Sequence, residues 1–359
     1  MEIKKKYRVI GLMSGTSLDG LDLAFCKLVH KKKGWKFELL ESTTIKYTEA
    51  WKKKLSTAQT LSGEQLMTLH AEYGKYLGES CARFIQSKKI KKADLIASHG
   101  HTIFHQPQSG FTFQLGDGNA IHAVTGLPVA FDFRSLDVQL GGQGAPLVPI
   151  GDRYLFHDYD LCLNVGGIAN LSMEIKDERK AFDICFVNMG LNHLAVKAKK
   201  EFDKDGAIAL KGKVNDTLLQ KLKKIYTPLK KKRPSLAREG FEQMIQPLLD
   251  DKKISLEDRM RTFCESIAIE IEEAIPVSQK SLKILATGGG ALNSFFIQLL
   301  SEKLKHKGEV IIPDRKTIEF KEALVFALLG VLRARNEINA LKSVTGAKHD
   351  SSSGILVGF

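Results

Sequence analysis

Gly11-Leu-Met-Ser-Gly-Thr-Ser-Leu-Asp-Gly-Leu-Asp22 decides the fold, because it places a glycine-rich polar turn between two apolar runs, 7–13 and 21–28. β-forming residues on both sides of a short turn rich in Gly, Ser and Asp read as strand, turn, strand. The same grammar returns at Leu161-Cys-Leu-Asn-Val-Gly-Gly-Ile-Ala-Asn-Leu171, with Gly166 and Gly167 at the bend. A chain of 359 residues exceeds what one hydrophobic core usually serves. Two lobes are therefore expected, each opening on a glycine-turn hairpin. Residues 1–130 form the first and 131–359 the second, with helices after 319 able to fold back onto the first.

Between the hairpins the pattern alternates. Ser62-Gly-Glu-Gln65 spells a capping box, and Leu66, Leu69, Tyr73, Leu77, Cys81 and Phe84 follow at helical spacing, which predicts a helix over 63–86. Short apolar strands are expected at 94–98 and 127–131. Helices are expected at 189–201, 214–225 and 257–275, the last stopping before Pro276. A buried strand at 282–286 then runs into Thr287-Gly-Gly-Gly290 and a helix from Asn293. Strands alternating with helices at this rhythm define an α/β fold.

Charge and cysteine usage narrow the function classes. Lys and Arg number 54 against 41 Asp and Glu, a formal charge of +13. The basic runs at 4–6, 31–33, 52–54, 88–92 and 230–233 are scattered, mostly Lys, and lack interleaved aromatics, so they read as a solvated surface and no nucleic-acid partner is expected. No run approaches the roughly 18 apolar residues of a membrane span, nor does the start carry an apolar leader. Cys26, Cys81, Cys162, Cys185 and Cys264 are odd in number and form no C-x-x-C pair, the usage of small buried side chains in a cytoplasmic protein.

Chemistry concentrates at the turns. Between Gly11 and Asp22 the small residues let several amides converge on one anion, and the hydroxyls of Ser14, Thr16 and Ser17 add donors, which suits a nucleotide phosphate. Asp19 and Asp22 stand where a carboxylate can hold Mg²⁺ directly or through water. A hairpin turn without ligand is the alternative for these residues alone. The triplet Gly288, Gly289, Gly290 lies at the carboxyl edge of a sheet, where open α/β folds bind ligands, a tight strand-to-helix turn being its alternative. His99 and His101 are expected to share a strand face with no carboxylate or Cys to complete a metal set.

Six ordered stretches go further than any single turn: the opening 11–22, Ser98-His-Gly-His-Thr-Ile-Phe-His-Gln-Pro107, Phe131-Asp-Phe-Arg134, Gly141-Gly-Gln-Gly-Ala-Pro-Leu-Val-Pro149, Asn164-Val-Gly-Gly-Ile-Ala-Asn-Leu171 and Ser343-Val-Thr-Gly-Ala347. Together they resemble the anhydro-N-acetylmuramic acid kinases, within the superfold of actin, sugar kinases and heat-shock ATPases. The resemblance implies a two-lobed actin-like ATPase (ribonuclease H-like) α/β fold with nucleotide and substrate in the interlobe cleft. It implies ATP and Mg²⁺, a small anhydro-amino sugar as partner, neither nucleic acid nor membrane, and leaves a homodimer open. The implied reaction opens 1,6-anhydro-N-acetylmuramic acid with water and phosphorylates O6.

By the same resemblance, Gly15, Thr16, Ser17, Leu18, Asp19, Gly20, Leu21, Asp22, Gly166, Gly167, Gly288, Gly289 and Gly290 hold the nucleotide, with Asp19 toward the metal. Asp183-Ile-Cys-Phe-Val-Asn188 matches the family's Asp-Thr-Gly-Pro-Gly-Asn, which makes Asp183 the catalytic base. Three glycine and proline positions are replaced by bulkier residues, so a different loop path is expected after Asp183, which itself should end a strand. Arg134 is assigned to the sugar's lactyl carboxylate, with an ion pair to Asp137 as the alternative. His99, Asn188 and Glu322 complete the substrate set, Glu322 at the start of a helix. Another sugar or small-acid kinase of the superfold, or an ATP-driven conformational switch, are the competing functions.

Overall fold

β1 (Lys6–Ser14), β2 (Leu21–Lys31) and β3 (Gly34–Ile45) make an antiparallel meander, with β1 so apolar that eight of its nine residues pack away from or partly away from water. The computed structural model describes residues 4–15, 17–32 and 34–359, so Thr16 lies outside the described residues. β4 (Leu95–Gln106) joins β1 in parallel, and β6 (Val129–Phe131) joins β4 in parallel. The short β5 (Phe111–Leu115) pairs antiparallel with β4, and a strand at Ile355–Val357 closes the edge against β6.

The crossover from β3 to β4 is the helix Gly63–Ser87. Its Ser62 hydroxyl accepts the Gln65 amide while the Gln65 side chain accepts the Ser62 N–H, the expected capping box. Leu69, Tyr73, Leu77, Cys81 and Phe84 recur every three or four residues and are buried against the sheet. On the other face the helix Arg315–Ala334 presses onto β1 so closely that a Cβ on Gly11 would stand 1.9 Å from the Ala323 carbonyl oxygen. Any larger residue at position 11 would push this helix off the strand.

β7 (Leu161–Val165), β8 (Ile168–Ile175) and β9 (Glu178–Phe186) form a second meander, and β10 (Leu282–Thr287) and β11 (Gly308–Ile311) extend it in parallel. Its order, β11-β10-β7-β8-β9, repeats that of the first sheet, β6-β4-β1-β2-β3. Both are the strand order of the expected ribonuclease H-like α/β fold. The helices Asp216–Lys232 and Leu256–Ala274 supply much of its core through Leu218, Leu222, Tyr226, Phe263 and Ile267.

The chain divides into two compact units, 1–157 with 320–359, and 158–319. The first passage between units therefore falls at 157/158 and not near 130. Residues 131–157 stay with the first sheet because β6 and Ile355–Val357 need each other as hydrogen-bond partners and Phe156 packs edge-on to Phe37 of β3. The helix expected over 214–225 runs on to Lys232 through Pro228, and that over 189–201 stops at Lys197. Among the described residues no helix is long and apolar enough to cross a membrane, and all five cysteines are buried.

Candidate active site

The turn after β1 rests on a line of hydroxyls. Tyr47 Oη donates to Ser14 Oγ at 2.7 Å, and Ser14 Oγ lies 2.8 Å from His101 Nδ1. With the Tyr47 proton spent on Ser14, the 2.6 Å bond between the two phenols requires Tyr73 to donate. Burial pushes His101 down to about 4, so its ring is neutral, and in the tautomer with the lone pair on Nδ1 it takes the Ser14 proton. The Ser14 hydroxyl is thus engaged inward, and among the described residues Ser17 carries an exposed hydroxyl on the turn.

Leu18 takes a left-handed φ of 59° in this turn, and among the described residues a Cβ on Gly15 would meet only Ser17 Oγ, at 3.6 Å, which leaves room for a ligand at that backbone. Asp19 is exposed, and half-buried Asp22 accepts the Thr44 hydroxyl at 2.5 Å. No three His, Cys, Asp or Glu side chains of the described residues gather as a metal cage. Two carboxylates beside phosphate oxygens fit Mg²⁺, which keeps several waters and seldom uses an all-protein shell.

A second cluster of the same unit surrounds Arg134. Its Nε and Nη2 both donate to His99 Nε2, at 3.1 and 3.0 Å, and its Nη1 donates to the Gly144 carbonyl at 2.7 Å. A guanidinium has no acceptor, so His99 Nε2 must carry the lone pair and Nδ1 the proton, which goes to Gly100 O at 2.8 Å. Burial, followed by the neighbouring Arg134 charge, holds the His99 imidazole well below its usual range. The alternative reading of Arg134, an ion pair with Asp137, does not form: Asp137 Oδ2 accepts Gly144 N–H at 2.8 Å and Oδ1 accepts the Thr345 hydroxyl at 2.7 Å. Burial lowers Arg134 to about 10, while Glu322 and then Asp137 oppose it from a distance.

His99 and His101 do not share a face. Gly100, at φ 72°, turns the strand between them, so His99 packs on Phe326 with ring centres 4.6 Å apart while His101 meets Tyr73 edge-on. Glu322 lies inside Arg315–Ala334, whose cap is Asp314, and not at its start. The helical path breaks at Phe320, so Glu322 opens the turn after a kink. Surrounding protein raises its carboxyl above the ordinary range although the side chain reaches solvent, and Arg134 pulls the other way.

In the second unit the expected glycine segments meet. Gly166 and Gly167 carbonyls accept the amides of Asn188, Val187 and Met189, and Asn188 Nδ2 donates to Val165 O at 3.3 Å. The strand-to-helix turn closes on the same place: a Cβ on Gly288 would stand 2.6 Å from Asn164 Oδ1 and 2.7 Å from the Val165 carbonyl. At Gly289 the nearest atom would be Asn188 Nδ2, 3.5 Å away, which leaves that backbone open.

Asp183 is placed differently from its expectation. β9 continues through Cys185 and Phe186, so Asp183 sits within the strand opposite Asn170, and Ile184 forms a bulge beside it. The replaced glycine and proline positions extend the strand, and Val187 rather than Asp183 precedes the helix Asn188–Lys197. Oδ2 of Asp183 accepts the Leu236 N–H at 2.9 Å. Arg233 sets up that bond: in a left-handed φ of 45° it ends Asp216–Lys232 and stacks 3.7 Å over the Phe182 ring, and Pro234 prevents the helix from resuming. Burial raises the Asp183 carboxyl above the usual range, against the lowering effect of the Leu236 amide. The carboxylate lines a cavity of about 100 Å³ with Lys230 and buried Glu270, which pair at 2.8 Å. Gly166, Gly167, Asn188 and the 288–290 turn do not line it.

Six ordered motifs, a guanidinium with no carboxylate partner among the described residues and a half-buried strand carboxylate together specify a family more tightly than strand order does. The model of the anhydro-N-acetylmuramic acid kinase family matches residues 7–358. The chain belongs to that family. The anhydro-N-acetylmuramic acid kinase of Mannheimia succiniciproducens is 34% identical over 377 residues, covering 98% of this chain and 99% of that one. That of Caldanaerobacter subterraneus subsp. tengcongensis is 32% identical, covering 96% of each. Among solved structures, component A of (R)-2-hydroxyglutaryl-CoA dehydratase from Acidaminococcus fermentans aligns at 12% identity, with TM-score 0.45, over 92% of this chain and 99% of that one.

Sequence reading of this family member overlooked the buttresses. Tyr47, Tyr73, Leu236 and the Asp137–Thr345 bond come from segments distant along the chain, and Leu236 acts through its backbone, which no residue type announces.

Proposed function

We propose that the protein is an ATP-dependent kinase that opens 1,6-anhydro-N-acetylmuramic acid with water and phosphorylates O6, giving N-acetylmuramic acid 6-phosphate and ADP in the cytoplasm during peptidoglycan recycling. The match to the family over residues 7–358 carries this proposal. Asp183 takes a proton from water as the water oxygen bonds to the anomeric carbon. The bond from that carbon to O6 breaks, and O6 keeps the electron pair with which it attacks the γ-phosphorus, expelling ADP. A base raised by burial, as Asp183 is, sits closer to the pH at which it must accept that proton.

The remaining roles follow from charge and exposure. Arg134 binds the lactyl carboxylate through its unspent N–H groups, and Glu322 and Asn188 bond sugar hydroxyls. The amides of 15–22 take the triphosphate, and Gly166, Gly167 and 288–290 take the rest of the nucleotide. Asp19 and Asp22 would hold Mg²⁺, which neutralises phosphate charge when bound. The test is incubation with Mg²⁺, ATP and the anhydro-sugar in H₂¹⁸O, read by mass spectrometry. A phosphosugar carrying ¹⁸O at the anomeric hydroxyl is expected. Phosphorylation without the label makes the protein a simple sugar kinase, and no phosphosugar despite ATP binding refutes the substrate.

A further inference from the structure

Arg134 is held as a charge in waiting. Three of a guanidinium's five N–H groups are engaged, by His99 Nε2 and Gly144 O, so two remain, and among the described residues no carboxylate touches it. Both engaged partners are neutral. A half-buried cation braced by neutral acceptors, with Glu322 and Asp137 acting on it only from a distance, keeps more of its attraction for an incoming anion than one paired directly with Asp137 would.

The braces are themselves fixed from behind. His99 is buried, its ring pinned by Nδ1–H to Gly100 O and by contact with Phe326. Gly144 is pinned because its N–H donates to Asp137, whose second oxygen holds the Thr345 hydroxyl. Gln143 N–H also donates to the Thr345 carbonyl at 2.8 Å. Two stretches that no step of the reaction uses, 141–144 and 343–347, thereby converge on the orientation of one side chain. A free Arg samples many rotamers, and holding it in one removes that entropic cost from binding.

We infer that His99 on one side, and Thr345 acting through Asp137 and Gly144 on the other, are positioning residues that aim Arg134 and so set the enzyme's selectivity for a sugar bearing a carboxylate. The inference rests on the proposed anhydro-sugar kinase activity. Its consequence is that selectivity for the acid depends on residues that never touch it.

The experiment compares 1,6-anhydro-N-acetylmuramic acid with its lactyl methyl ester, which keeps the shape and removes the charge. For the unaltered enzyme kcat/KM should favour the acid by about 10- to 100-fold, the range of a charge-assisted hydrogen bond. Arg134→Gln should erase the preference. Thr345→Val should reduce it by about tenfold, through KM for the acid, with KM for ATP and for the ester changed less than about twofold, and His99→Leu should reduce it as well. His99→Gln and Thr345→Ser, which restore an acceptor and a hydroxyl, should recover most of it. Melting temperature is followed throughout, and should His99→Leu fail to fold, Thr345→Val decides. Retained preference in the brace variants, or equal losses for acid, ester and ATP, overturns the positioning role. If Arg134→Gln keeps the preference, the carboxylate assignment is wrong. If the unaltered enzyme phosphorylates neither sugar, the proposed function itself fails.

Discussion

The turn after β1 and the turn after β7 occupy the same place in two sheets of one strand order, yet different chemistry holds them. The first is tied by side chains: Tyr73, Tyr47, Ser14 and His101 form a directed line of protons beneath it. The second is tied by backbone: the Gly166 and Gly167 carbonyls take three amides, and Gly288 lies against Val165 with no room for a Cβ. The difference teaches that a shared topology fixes where a turn stands and leaves its support to local sequence. Side-chain support tolerates small conservative changes, whereas backbone support tolerates none where a glycine is wedged against the neighbouring chain, as Gly288 is.

The carboxylate proposed as the base belongs to the backbone-tied unit, and its loss should have the largest effect. Asp183→Asn is expected to lower kcat by about 10²- to 10⁴-fold with little change in ATP affinity, as steady-state rates and calorimetry would reveal. Burial raises the folded-state pKa of Asp183, so its ionised form costs stability above that pKa and the cost disappears as pH falls. Asn removes the charge while its oxygen can still accept the Leu236 N–H. The variant should therefore melt no lower than the parent at neutral pH, and a lower melting temperature would show that the ionised carboxylate is net stabilising.

Next in size is a glycine contrast. Gly288→Ala combines a φ of 84° with a Cβ 2.6 Å from Asn164 Oδ1, and should cost about 1–3 kcal/mol in denaturant unfolding. Gly15→Ala meets nothing closer than 3.6 Å and should leave stability nearly unchanged while weakening ATP. Equal costs at both positions would erase the distinction between the two supports.

Ser14→Ala removes the middle of the hydroxyl line and leaves His101 and Tyr47 short of a partner, for about 1–3 kcal/mol. Tyr73→Phe removes only the first donor and should cost less, about 1 kcal/mol. Reversal of that order would mean that the line does not run toward His101.

The smallest expected effect concerns pH. Leu236→Pro deletes the one amide that favours ionised Asp183, so the acidic limb of kcat should move to higher pH, since activity needs the ionised base and its pKa rises further. An unmoved limb would detach that limb from Asp183.

Legibility followed distance along the chain. The capping box at Ser62 and Gln65, the strand before Gly288 and the Asn293 cap were readable because each is written within a few residues. β3 escaped the reading although Trp35, Phe37 and Leu39 alternate along it, and β9 was cut short at Asp183 because the replaced loop was expected to bend there. Most candidate site residues were visible as motifs. Their partners were not: the Arg134–Asp137 pair is the natural guess from spacing, but Asp137 gives its oxygens to Gly144 and to Thr345, 208 positions away.

By itself the sequence determined the layered α/β class, the two glycine-turn hairpins and the family, since these depend on local propensity and on motif spelling, both carried by neighbouring residues. Only the tertiary structure decided that residues 131–157 serve the first sheet, that His99 holds Arg134, and that a backbone amide from Leu236 holds Asp183. Those outcomes turn on which buried polar group finds its partner first across long stretches of chain. Hydrogen-bond satisfaction in a packed interior is a property of the whole arrangement, and no segment encodes it alone.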